Sequence, residues 1–177
     1  MEKIFNRRNL LTCALLLPLI ALAETLLFLL KLPAWPVMVC MVSFFLAEQE
    51  REKLPHIVVG GALGELSVLI LNFVFIPLIW LPVFGDPARF AGVVVFVLIF
   101  VGLIVLLLGV LPKFFNSFTF LFFLAATLGA KSDTVPEVLA KVPLPLVWIA
   151  ETLAGGALII LGCISIGAIV KKAVTAA

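Results

Sequence analysis

The chain has 177 residues, of which 64% are hydrophobic and 12% are charged. Because soluble domains average about 25% charged residues, this composition excludes an ordinary soluble protein and predicts one integral membrane domain over 1–177. The net charge of +2 is too small to indicate nucleic-acid binding. The apolar composition predicts instead that the main partner is the lipid bilayer. The cysteines lie far apart in apolar stretches, which argues against a zinc site or disulfides and predicts no cofactor.

A first membrane span is predicted at roughly residues 9–30. Three basic residues lie before it: Lys3, Arg7 and Arg8. The segment that ends at Glu24 also resembles a secretory signal, with small residues at Ala21 and Ala23. The apolar run continues to Leu30 and so reaches spanning length, which makes a retained first helix the simpler interpretation.

Five more apolar runs predict an all-α fold, a polytopic transmembrane helix bundle of about six spans. These runs cover roughly 33–47, 56–83, 90–110, 114–130 and 145–169. The third span is long, and we expect it to tilt or to kink at Pro77. The second and fifth spans are near the lower limit for crossing a hydrocarbon core about 30 Å thick. They are therefore either short crossing helices or re-entrant segments.

The distribution of Lys and Arg predicts the orientation in the membrane. With the N-terminus inside, the cytoplasmic set is Lys3, Arg7, Arg8, Arg51, Lys53, Lys113, Lys171 and Lys172, and the outer set is Lys31, Arg89, Lys131 and Lys141. Eight against four favours both termini in the cytoplasm of a bacterial inner membrane, because positive charge collects on that side. The three tryptophans, Trp35, Trp80 and Trp148, are expected towards the outer interface.

Matching segments in the two halves of the chain predict an internal repeat, 9–83 and 90–169. Leu32-Pro33 matches Leu111-Pro112, Phe44-Phe45-Leu46-Ala47 matches Phe122-Phe123-Leu124-Ala125, and Gly60-Gly61-Ala62-Leu63 matches Gly155-Gly156-Ala157-Leu158. All three pairs follow the same order. Because each unit has three spans, the two units would have opposite orientations, and inverted repeats place substrate sites near the midplane. The alternative is that glycines and Phe pairs recur in any membrane bundle.

Three carboxylates inside apolar runs, Glu24, Glu65 and Glu151, are candidates for a solute path or a proton carrier. A charge inside a bilayer costs at least about 2.5–3.5 kcal/mol, so such residues usually face a bundle interior or a water-filled path. Glu65 is the strongest candidate, because helical spacing predicts that it shares a face with Gly61 and Asn72. The alternative is a neutral side chain that only holds the bundle together, and Glu24 could also reach water at the outer interface.

Other residues are predicted to pack or cap helices. The helix-packing positions are Gly60, Gly61, Gly64, Gly155 and Gly156, since small residues let two backbones approach closely. Thr25 and Thr152 are expected to donate hydrogen bonds to carbonyls one turn back. Asn116, Ser117 and Thr119 are expected to satisfy the first turn of the fifth span. The phenylalanines of the short spans are favoured to pack, with an apolar constriction as the alternative: Phe44, Phe45, Phe118, Phe120, Phe122 and Phe123.

Aromatic and glycine positions within the apolar helices also suggest a family. They are the run from Trp35 to Phe45, the segment 60–64, the stretch from Phe114 to Gly129, and the pair at 155–156. Together they resemble a bacterial family of small inner-membrane proteins labelled domain of unknown function ten ninety-seven. The resemblance covers most of the chain and implies a membrane fold. It implies no particular activity, so it assigns no function to any residue.

These patterns together predict a small-solute channel or facilitator, in which Glu65, Asn72 and Glu151 line or gate the path. Six short spans are few, so a homo-oligomer is expected. Two alternatives remain open: a proton-coupled secondary transporter, and a substrate-capturing or assembly subunit of a larger membrane complex. The sequence has no Gly-rich phosphate loop, nucleophile elbow or metal-binding cluster, so an enzyme is not predicted.

Overall fold

The computed structural model describes residues 7–129, 139 and 141–175, and the regular structure within them is entirely helical. The α-helices are α1 (Arg7–Leu29), α2 (Trp35–Leu46), α3 (Leu54–Ile70), α4 (Leu81–Phe84), α5 (Arg89–Leu107), α6 (Ser117–Gly129), α7 (Leu144–Glu151) and α8 (Ala157–Thr175). Single 3₁₀ turns lie at Arg51–Lys53 and Asp86–Ala88. The all-α prediction is therefore confirmed at the level of fold class.

Two long rods are each interrupted by a stretch of π-helix. The first rod, Arg51–Phe84, contains the first π segment, Leu71–Trp80, between α3 and α4. The second rod, Leu144–Thr175, contains the second π segment, Thr152–Gly156, between α7 and α8. Pro77 lies inside the first π segment, and because it has no backbone N–H it cannot donate the α-helical hydrogen bond to the carbonyl four residues back. Wider π turns commonly occur at such interruptions and at functional sites.

Four of the described helices are long and apolar enough to cross a membrane. They are Arg8–Leu29, Arg51–Phe84, Asp86–Leu107 and Leu144–Thr175. The two shorter apolar helices, α2 and α6, have 12 and 13 residues. At a rise of about 1.5 Å per residue each is only about 18–20 Å long, which is less than the hydrocarbon thickness. Both are continuous helices without an internal break.

The two short helices nevertheless contribute much of the core. Cys40 and Phe44 of α2 are fully buried, and so are Phe122 and Phe123 of α6. Phe123 packs against Phe100 of α5, with the rings tilted by 48° and their centroids 4.9 Å apart. These phenylalanines therefore pack the bundle, which is the interpretation that the sequence favoured. In contrast, α1 and α5 lie at the periphery and expose large apolar side chains, as expected for surfaces that face lipid.

Two basic residues and two tryptophans mark the opposite ends of the bundle. Arg51 and Lys171 line one cavity, and we call this the basic end. At the other end, called the Trp end, the rings of Trp35 and Trp148 meet edge to face with centroids 5.3 Å apart. Trp148 is fully buried by protein, and the expectation that the tryptophans lie towards the outer interface stays a prediction. The ring is enclosed because the start of α7 packs against α2 and α3.

The closest helix contact joins α3 to α6 through the glycines of α3. A Cβ atom at Gly64 would collide with the Thr119 carbonyl oxygen and would lie 2.8 Å from the backbone nitrogen of Phe123. One at Gly61 would lie 3.0 Å from the Phe122 ring. Only glycine permits this approach, since real Cβ atoms do not come so near a neighbouring backbone.

The start of α6 is tied to the start of α3 by one side chain. The Asn116 side-chain oxygen accepts hydrogen bonds from the backbone N–H groups of Phe118 (2.9 Å) and Thr119 (3.2 Å). Its Nδ2 atom donates to the His56 carbonyl oxygen at 3.1 Å. The prediction that Asn116 and Thr119 satisfy the first turn of this helix is confirmed, because the Thr119 hydroxyl also accepts from the Asn116 N–H.

We expect Gly64→Ala to destabilise the protein by about 1–3 kcal/mol, because the added methyl group meets backbone atoms that cannot move aside. The free energy of unfolding in detergent, measured by denaturant titration, tests this. Gly102→Ala is the matched control, since among the described residues no atom beyond its chain neighbours and its own helix backbone lies within 4 Å of the added Cβ. Equal stabilities of the two variants would show that α3 and α6 are not in backbone contact.

Candidate buried carboxyl site

The candidate site is centred on Glu65, which lies about three turns into α3 and is fully buried. Its Oε1 atom accepts a hydrogen bond of 2.7 Å from the Thr152 hydroxyl, the first residue of the second π segment. The Oε2 atom has no hydrogen-bond partner among the described residues. This side chain therefore joins the first rod to the second rod across 87 positions of sequence.

A second carboxyl group completes the pair. Glu151, the last residue of α7, is buried and interacts electrostatically with Glu65. Glu151 and Thr152 are both turned inward although they are neighbours in sequence. The next buried position on this rod is Gly156, four residues after Thr152 and five after Glu151. The π segment begins at Thr152, so both polar residues lie at the point where the rod changes helix type.

Helix α2 supplies the third wall of the site. The Cys40 thiol interacts electrostatically with Glu65 and lies against Gly156, where a Cβ atom would collide with the Cys40 sulfur. One turn further along α2, Ser43 is fully buried, and its hydroxyl oxygen has no hydrogen-bond partner among the described residues. Three polar side chains and a thiol thus meet in the interior, namely Cys40, Glu65, Glu151 and Thr152, and Ser43 lies one turn away on α2.

The described interior contains two carboxyl groups, Glu65 and Glu151, but no basic side chain of Lys or Arg. Every Lys and Arg whose side chain the structure describes is exposed, so none of them compensates the buried carboxyl groups from within. An isolated ion pair or charge in a low-dielectric interior costs several kcal/mol for each ion. Within the described residues, no three His, Cys, Asp or Glu side chains form a metal-binding group.

The structure places the other predicted path residues elsewhere. Asn72 is exposed, so the expected face shared by Gly61, Glu65 and Asn72 is wrong at its third member. The reason is that the buried stripe follows Val68 and Leu71 and then continues through the first π segment to Ile76. Glu24 is also exposed on α1 and does not join the site.

The two threonines with the same predicted role behave differently. Thr25 donates to the Ala21 carbonyl oxygen at 2.6 Å, as predicted. For Thr152 that prediction is wrong, because its hydroxyl turns to Glu65 instead. The sequence feature that could have indicated this contact is the position of Thr152 next to Glu151 and just before the Gly155-Gly156 pair. Sequence reasoning also missed Cys40 and Ser43, which carry no charge and lie in an apolar run.

Two clefts approach the site from opposite ends. The Trp-end groove, with a volume of about 410 Å³, is almost wholly apolar and includes Val37, Glu151 and Gly155 in its wall. The basic-end cleft, with a volume of about 260 Å³, includes Phe45 and Cys163 in its wall. Along the second rod, Gly155 and Cys163 are eight residues apart, or about 12 Å. Buried side chains fill the space between the clefts: Cys40, Phe44, Ile159 and Ile160.

Comparisons with protein-family models, with curated proteins and with solved structures gave no match for this chain. The resemblance to domain of unknown function ten ninety-seven therefore stays a prediction.

We expect Thr152→Val to lower the free energy of unfolding by about 1–3 kcal/mol, because a buried carboxyl oxygen loses its donor. In a Glu65→Leu background the same substitution should cost little, since the partner is already absent. Denaturant titration in detergent of the unaltered protein, the two single variants and the double variant gives the coupling energy between Glu65 and Thr152. Thr25→Val serves as the control, because its hydrogen bond is exposed and lies within one helix. A coupling energy near zero would mean that the two side chains do not meet.

Proposed function

We propose that this chain is a proton-coupled secondary transporter for a small solute in a bacterial inner membrane. The observation that carries the proposal is the buried pair of carboxyl groups, Glu65 and Glu151, which meets Thr152 where the second rod changes from α-helix to π-helix. Ionisable groups held inside a membrane bundle commonly mark proton relays and substrate paths. No other group of the described interior has this chemistry.

The pair is suited to holding a proton. Two interacting buried carboxylates are costly to ionise together, and every Lys and Arg side chain that the structure describes is exposed. We infer that the pair keeps at least one proton in the conformation described here. A polar solute that reached the Oε2 atom of Glu65 or the Ser43 hydroxyl could form hydrogen bonds there, and the carboxyl pair could release its proton as the solute binds. Release of the proton and binding of the solute would then be coupled at one site.

The closed core favours a carrier over an open pore. The site lies between the Trp-end groove and the basic-end cleft, and neither cleft continues through the buried residues that separate them. Alternating access requires such an arrangement, in which a central site opens to one side at a time. A channel or facilitator, the function that the sequence favours first, remains the alternative and would need these side chains to act as a gate.

Helix order and packing support the proposed inverted repeat of 9–83 and 90–169. Each half runs as a long helix, a short Phe-rich helix and a long rod with a π segment. The paired glycines of each half also contact the short helix of the other half. Gly61 meets Phe122 of α6, and in reverse Gly155 meets Val37 of α2, where an added Cβ would lie 2.7 Å from Cγ2. Such reciprocal contacts are expected between two units related by a twofold axis in the membrane plane.

Orientation and assembly complete the proposal. The basic end, which carries Arg8, Arg51 and Lys171, would face the cytoplasm under the positive-inside rule. Both termini would then be cytoplasmic, in a bundle of six spans. Glu24 lies on the exposed face of α1 inside an apolar run, and a contact with a second copy would shield it. We therefore keep a homo-oligomer as part of the proposal.

The transport proposal is tested with purified protein in liposomes that contain a pH-sensitive dye. Glycerol, urea and alanine are added outside, with and without a pH gradient, and both internal pH and vesicle shrinkage are recorded. We expect at least one solute to move protons, and we expect Glu65→Gln and Glu151→Gln to reduce this movement to the level of protein-free liposomes. Glu24→Gln should retain it, since that residue lies outside the site.

The other outcomes separate the rival functions. Solute flux that needs no gradient and survives Glu65→Gln would support the channel. Absence of flux over a broad solute panel, together with a protein that co-purifies from the membrane, would support the subunit of a larger complex. Proton movement that is unchanged in both site variants would contradict the assignment of the buried pair.

A further inference from the structure

A second site candidate lies at the basic end, away from the buried carboxyl pair. The basic-end cleft, of about 260 Å³, adjoins another cavity of about 240 Å³, and the two share Gln49, Cys163 and Gly167 in their walls. Together they form one depression between α1, the turn that follows α2, and α8. We call this whole depression, which comprises the basic-end cleft and the second cavity, the basic cleft.

Positive charge converges on the basic cleft from three separate elements. Arg8 comes from α1, Arg51 from the 3₁₀ turn before α3, and Lys171 from the end of α8. Among the described residues that line it, there is no Asp or Glu. Like charges gathered around one depression repel each other and attract an anion, and the low-dielectric wall of a bundle strengthens that field.

Neutral donors lie between the cations. Gln49 lines both halves of the cleft, and Asn9 and Thr12 line the half next to α1. Gln49 and its neighbour Glu48 adopt left-handed backbone conformations, with φ of 60° and 55°. Such a conformation costs a non-glycine residue about 1–2 kcal/mol, so it persists where the surroundings fix it. Here the Gln49 N–H donates to the Phe44 carbonyl oxygen at 3.0 Å, which anchors the turn.

The wall towards the membrane interior is apolar. Leu16 of α1, Phe45 of α2 and Ile166 of α8 lie below the polar rim. An anionic group held by the rim would therefore have hydrocarbon on one side and the basic end of the bundle on the other. This combination suits a phosphate group, since guanidinium and amide donors match its oxygens.

We propose that the basic cleft is a binding site for a phosphate group, carried either by an acidic phospholipid or by a soluble phosphate ester. Both ligands share the same recognition chemistry, in which Arg8, Arg51 and Lys171 supply the charge and Gln49 supplies a neutral donor. The bound group would bridge α1, the α2–α3 turn and α8. This proposal does not depend on the transport function, because none of these residues belongs to the buried carboxyl site.

Native mass spectrometry of the full-length protein in detergent tests the lipid source. Phosphatidylglycerol and phosphatidylcholine, matched in acyl chains, are titrated separately. We expect tighter binding of phosphatidylglycerol, and we expect Arg51→Gln and Lys171→Gln to weaken it about fivefold each, which corresponds to about 1 kcal/mol for each cation. The matched controls are Lys113→Gln at the same end and Arg89→Gln at the opposite end, which should bind like the unaltered protein.

Thermal stability in the presence of glycerol 3-phosphate tests the soluble source. A rise in melting temperature that is lost in Arg51→Gln, without selectivity between the two lipids, would assign the site to a soluble phosphate ester. Equal binding of both lipids and no effect of glycerol 3-phosphate would overturn the proposal. So would an equal loss of binding in the control variants, since that would reflect net charge and not the cleft.

Discussion

The close contact between α3 and α6 is the constraint on which the carboxyl site depends. Gly64 faces the backbone of α6, and no side chain fits between the two helices there. Because adjacent residues on an α-helix point about 100° apart, fixing Gly64 against α6 turns Glu65 away from it and towards the second rod. Asn116 holds the starts of the same two helices together through the His56 carbonyl. The direction of Glu65 thus follows from packing at its neighbour.

The second rod meets Glu65 through a change of helix type. Glu151 ends α7 and Thr152 begins the second π segment, and both side chains are buried. The hydrogen bond from Thr152 to Glu65 compensates part of the cost of burying a carboxyl group. The same π segment brings Gly156 against Cys40 of α2, so the site is closed on three sides.

The sequence was sufficient for the fold class and for the burial of Glu65 and Glu151, because carboxylates within apolar runs are conspicuous whatever the tertiary structure. The same signal also selected Glu24, which is exposed, and the roles of all three stay predictions. The sequence was not sufficient for Asn72 or Thr152. Both predictions assumed an uninterrupted period of 3.6 residues, and each residue lies in a π segment that breaks this period. Burial of Trp148 also escaped prediction, since it depends on which helices cover the start of α7. The span count, repeat, family and activity stay predictions.

The central claim is that Glu65 and Thr152 belong to one buried site that holds a proton. Infrared difference spectroscopy of the reconstituted protein tests it most directly, because a protonated carboxyl group has a carbonyl stretching band that is sensitive to hydrogen bonding. The account predicts such a band at neutral pH, lost in Glu65→Gln and shifted in Thr152→Val. A band that is absent at neutral pH, or that Thr152→Val leaves unchanged, would contradict it.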